Sequence, residues 1–168
     1  MNRTEEIRGA IINRLVAVPG IGQVYRYQRY AAQQSEFRRL YQVGDQVLGW
    51  YVRRMATAER VDTIAWNEEH RQWRIEGVMS LNDAAASEIT FDALIDEIRS
   101  TFRGNETLDD VVETTVVNNQ AGVQLETSGP VMFAGVLCHR AQMSLTTITR
   151  VEAARGLTQA AMDDDFDV

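Results

Sequence analysis

The chain has 168 residues, 45% of them hydrophobic, enough for one domain whose core needs no disulfide or metal staple. All 17 basic residues are arginines, set against 24 Asp and Glu, which excludes P-loop, Schiff-base and lysine general-base chemistry. The single cysteine, Cys138, excludes an internal disulfide or a cysteine-rich metal site, and no apolar run approaches the roughly 18 residues that span a bilayer.

The N-terminus MNRTEEIRGAII has acids where a leader peptide needs positive charge and a continuous apolar block, so the expectation is a soluble, unprocessed protein. Charge is divided along the chain. Residues 1–80 carry 12 Arg against 9 acids, net +3, and residues 81–168 carry 5 against 15, net −10, which together give −7. A molecule with one basic and one acidic flank suits head-to-tail contact between copies.

Taken in order, residues 3–18 read as a helix, with Ile7, Ile11, Leu15 and Val18 at helical spacing and Asn2 with Glu5 as a capping box. Pro19 and Gly20 stop it. The GIG of residues 20–22 has no preceding strand and no third glycine, so it is not a nucleotide loop. Residues 24–27 read as a strand, and Ser35 is placed as the cap of a short helix carrying Phe37, Leu40 and Tyr41. Tyr25, Tyr27, Tyr30, Phe37 and Tyr41 alternate with Arg26, Arg29, Arg38 and Arg39, a pattern that single-stranded nucleic-acid binders use. The acidic balance, with a sequence pI near 4.9, argues against specific nucleic-acid binding.

Residues 47–52 form a second strand that leads to the polar pair Arg53 and Arg54. A hairpin is expected between 62–66 and 71–80, turning on Asn67–His70 with Trp66 paired to Arg71, which puts Ile64, Trp66, Trp73 and Ile75 on one face and Thr63, Ala65, Gln72, Arg74 and Glu76 on the other. His70 is then a solvated turn residue. Residues 87–103 make the second main helix, with Phe91, Leu94, Ile95, Ile98 and Phe102 as its apolar stripe and Asp92 and Asp96 facing water.

Residues 130–149 hold one formal charge and read as an overlong final strand, which must bend, break at Gly135 or project. Residues 123–127 pair with it across Ser128, Gly129 and Pro130. Its apolar first half, through Leu137, is expected in the core. Its alternating second half is expected to reach a neighbouring subunit through Met143 and Leu145. Cys138 and His139 are adjacent, so they face opposite ways and cannot form a nucleophile–base pair. Four Asp among the last six residues mark 151–168 as an acidic tail following a single domain at 1–150.

The fold class expected is α+β, an antiparallel or mixed sheet with two main helices packed on it and a long C-terminal strand. No catalytic, cofactor or metal motif is present. The order PGIG, VYRYQRY, FRRLYQ, LGWYVRR, a tryptophan hairpin, an amphipathic helix and GPVMFAGVLCHRAQMSL resembles the tail terminator or tail-completion proteins of long-tailed bacteriophages and prophages. The resemblance covers most of residues 3–150. It implies a homo-oligomeric, six-membered ring that caps the tail tube in the virion and presents a surface to the head–tail connector, with no enzyme activity or cofactor; the lack of a spanning apolar run separately leads to the expectation of no membrane. Interface candidates are Arg53, Arg54, Met143 and Leu145, with Asp163, Asp164 and Asp165 of the tail, or the Asp92 and Asp96 face of the second main helix, as acidic counterparts. A different neck or head-completion connector is the alternative, followed by a small ligand-binding or enzyme module.

Overall fold

A computed structural model describes residues 2–153. The fold is α+β, a mixed six-stranded sheet with helices against it. Helix α1 (Arg3–Val16) begins where the Asn2 side chain accepts the Thr4 N–H at 2.9 Å. Glu5 does not complete a capping box; its carboxylate pairs with Arg8 and Arg26 instead. Strand β1 (Gln23–Tyr25), helix α2 (Gln34–Tyr41) and strand β2 (Gln42–Val43) follow, and Ser35 lies inside the first turn of α2 with no capping bond at that end.

Three long strands carry the sheet: β3 (Gln46–Val61), β4 (Trp66–Ser80) and β8 (Val136–Glu152), with β7 (Gln124–Phe133) beside β8. The order is β1-β3-β4-β8-β7, β2 also pairing with β3; β1 runs parallel to β3 and the other pairs are antiparallel. Helix α3 (Ser87–Arg103) occupies the span its periodicity predicts and buries Phe91, Ile95, Ile98 and Phe102. Together with Ile7, Ile11 and Leu15 of α1 it covers Trp50, Val52, Trp73, Ile75 and Met143 on one face of the sheet. Burying each such side chain is worth about 1.5–3 kcal/mol. Helix α2 packs Phe37 and Tyr41 on Val47, Val78 and Cys138 at one end of the opposite face. Strands β5 (Val116–Val117) and β6 (Gln120–Ala121) form a separate small hairpin.

The stretch 130–149 breaks at Gly135, one of the three outcomes its length left open: Ala134 and Gly135, both with positive φ (45° and 79°), form a two-residue turn joining β7 to β8. Three other expectations about the strands are corrected. Ser128, Gly129 and Pro130 are strand residues, tolerated because β7 is an edge. The tryptophan hairpin turns at residues 62–65 instead of 67–70. Asn67 pairs with Val61, His70 is buried within β4, and Trp66 faces away from Trp73.

The third correction concerns the C-terminal run, whose first half is core only in part: Val136 is buried and Val131, Phe133 and Ala134 pack on the α2 cluster. Met143 and Leu145 are 0% and 1% exposed, in the core under α1 and α3, whereas Met132 and Leu137 are 62% and 46% exposed. Helices α1 and α3 cover the middle of β8, while α2 stacks Phe37 on Phe133 beside the β7–β8 turn. Met143 and Leu145 therefore support the fold of the single chain and do not form an outward surface.

Candidate interaction surface

Beyond α2, the face of the sheet away from α1 and α3 is polar. One row across it is Tyr51, Glu76, Gln142 and Thr127, on β3, β4, β8 and β7. Glu76 is only 2% exposed, yet its carboxylate is well served. It accepts hydrogen bonds from Arg140 Nε at 2.8 Å, from Gln142 Nε2 at 2.9 Å and from the Tyr51 hydroxyl. Burial pushes the Glu76 pKa up, but those three donors outweigh it and hold the group below its ordinary value. Burial first, and then the Glu76 charge, drive the Tyr51 pKa up, so Tyr51 stays a neutral donor.

The next row is different in kind. Arg53 of β3 stands directly opposite Arg74 of β4, followed by Ser144 and Gln124. Among the described residues neither arginine has a carboxylate within ion-pair distance, and Arg53 makes only a 3.4 Å bond to Gln28. Like charges set directly opposite in a sheet oppose folding. Arg54, its neighbour, points to the helix face and donates to Thr4 Oγ1 at 3.2 Å. Of the paired sequence candidates, then, only Arg53 looks out from the open face. Arg74 joins it there, a residue the sequence placed on a wet face opposite Thr63 in place of Arg53, because the hairpin turn was set five residues late.

A groove runs along this face from Arg60, near the β3–β4 turn, past His70, Gln72 and Thr146 to Arg74 and Ser144. Its two halves, about 260 and 280 Å³, share Gln72 and Thr146. Glu126 lines the far end, and the His70 ring bonds Glu68 at 3.0 Å.

The sheet has two free margins among the described residues. The outer side of β3 from Val52 to Val61 has no paired strand, because β1 and β2 reach only as far as Tyr51. At the opposite side of the sheet, the outer margin of β7 is also unpaired. The β3–β4 turn exposes Val61, Ile64 and Trp66.

Other candidates resolve into structure. Cys138 lies in the α2 cluster, and burial pushes its thiol up to about 11, so it is no nucleophile at neutral pH. His139 faces the other way, as its adjacency to Cys138 requires. Its Nε2 lies 2.8 Å from Ser87 Oγ, and its ring stacks on Phe91. Ser87 Oγ also accepts the Asn82 N–H at 2.8 Å, which ties the start of α3 to the end of β4. An open cleft of about 810 Å³ adjoins this pair, with Arg38, Asp45 and Asp83 on its walls. Among the described residues no group of three or more His, Cys, Asp or Glu could hold a metal, and no helix is long and apolar enough to cross a membrane. Asp163, Asp164 and Asp165 lie outside the described residues. No protein-family model matches the chain, and no significant match is found among curated proteins.

Proposed function

We propose that the chain is a structural subunit of a phage tail, a tail terminator whose copies join into a six-membered ring. In this reading the ring caps the tail tube at the head-proximal end of the virion tail and offers its other side to the connector. The observation that carries the reading is the pair of free strand margins on opposite sides of one sheet, β3 beyond Tyr51 and β7. A strand contact between unlike edges is head-to-tail, and head-to-tail contacts close into rings when the rotation allows. The resemblance of residues 3–150 to tail terminators supplies the tail tube and connector as neighbours. Pro130 in β7 and the irregularity between Arg54 and Ala56 in β3 shorten the usable stretch of each edge, which limits unregulated stacking.

The test is the mass of the full chain by light scattering, alone over a wide concentration range and with tail-tube protein. A mass six times 19.0 kDa supports the reading, and a monomer under every condition overturns it. A second reading, a small ligand-binding module, draws on the cleft beside Ser87. Native mass spectrometry of the purified protein checks it: a retained small molecule favours it and a bare chain mass counts against it.

A further inference from the structure

Arg74 lines one end of the groove and Arg53 stands opposite it on β3, a like-charge pair with no carboxylate within ion-pair distance among the described residues. We infer that the acidic C-terminal segment of the same chain, bearing Asp163, Asp164, Asp165 and Asp167, docks along this groove onto Arg53 and Arg74.

The place where the described chain ends is the first argument. Glu152 pairs with Trp66, and the Ala153 N–H donates to Ala65 O at 2.8 Å, so the segment leaves from the β3–β4 turn. Arg60, one residue before the end of β3, opens the groove on that side. The groove and the segment share a starting point.

Length is the second argument. Arg74 lies eight residues along β4 from Trp66, about 26 Å at 3.3 Å per residue. Asp163 lies ten residues past Ala153, and a chain of that length spans at most about 33–36 Å. The aspartates reach the arginine pair with a few residues of slack, and the same chain suffices.

Charge is the third. Residues 154–168 carry one Arg and four Asp, net −3, while the groove is lined by Arg60 and Arg74, with Arg53 opposite Arg74 on β3, against Glu126 and the Glu68 that faces Arg60. Arginine guanidinium groups take carboxylates bidentately, so two or three aspartates can use the pair fully. The segment's carboxylates offset the repulsion that the Arg53–Arg74 register creates. Contacts of this exposed kind weaken with salt.

A photo-cross-linking residue in place of Phe166 of the full chain tests this directly, with cross-linked peptides mapped by mass spectrometry. Same-chain docking predicts cross-links to residues around Gln72 and Arg74 at low salt, reduced several-fold in high salt and in Arg53→Gln/Arg74→Gln. Arg103→Gln, on the far end of α3, leaves the yield unchanged. Mixing 14N and 15N chains separates the sources, and cross-links that join unlike isotopes assign the segment to a second copy and overturn the proposal. It is equally overturned if no cross-link reaches the groove, or if the double variant cross-links as well as the unaltered protein.

Discussion

The indole of Trp50 fills the space that a side chain on Gly77 would need. A Cβ on Gly77 would stand 2.3 Å from Trp50 Cε3 and Cζ3, well inside contact distance. The two are cross-strand partners, with Ala141 next in the row, so two small residues make room for the ring that stacks on Phe91. Gly77→Ala should therefore cost about 3 kcal/mol, at the upper end of overpacking, because backbone sets the glycine and packing sets the indole. Chemical denaturation of the variant measures it.

Deletions in the neighbouring rows should act on folding. Met143→Ala and Leu145→Ala each remove a fully buried side chain beneath α1 and α3, with an expected loss of about 2–5 kcal/mol. Denaturation of the dilute protein, where any assembly is dissociated, should show the whole effect. An effect seen only at high concentration would return these residues to an interface.

Glu76 makes stability depend on pH. Its folded pKa lies below the ordinary 4.5, so at falling pH the unfolded chain takes up the proton first. The contribution is fully present above about 4.5 and is lost as pH falls from there through the folded pKa. Glu76→Gln should flatten the acid limb of the stability profile. It should also cost about 2 kcal/mol at pH 7, since Arg140 keeps part of its hydration when its partner is gone. Thermal melts from pH 3 to 7 compare the two proteins.

Ala134 occupies a left-handed position in the β7–β8 turn, φ 45°, that suits glycine or asparagine. Ala134→Gly should raise stability by about 1 kcal/mol by removing that strain, against the small entropic cost of an added glycine. A lowered melting temperature would show that the turn is held by Ala134's packing against the α2 cluster.

Strong periodicity made some elements readable. The stripe from Phe91 to Phe102 gave α3 its full span, and strand alternation put Cys138 and His139 on opposite faces. The turns were harder. Asn67–His70 is polar enough to look like a loop, but it sits in β4 where both faces carry polar side chains, while the true turn at 62–65 contains Ile64. Ser128-Gly129-Pro130 looked like a turn and is an edge strand. The turn at Ala134 and Gly135, between Phe133 and Val136, was legible only as one of three outcomes, the break at Gly135. The open-face arginine pair depends on that register. Arg53 could be singled out by composition, but its position opposite Arg74 exists only once the β3–β4 turn is placed correctly.

Negative-stain imaging of the full chain at assembly-competent concentration tests the central claim most directly. Head-to-tail joining of the β3 and β7 margins predicts closed rings with six-fold symmetry and a central hole. Two-fold dimers, or single particles at every concentration and in the presence of tail-tube protein, would contradict it.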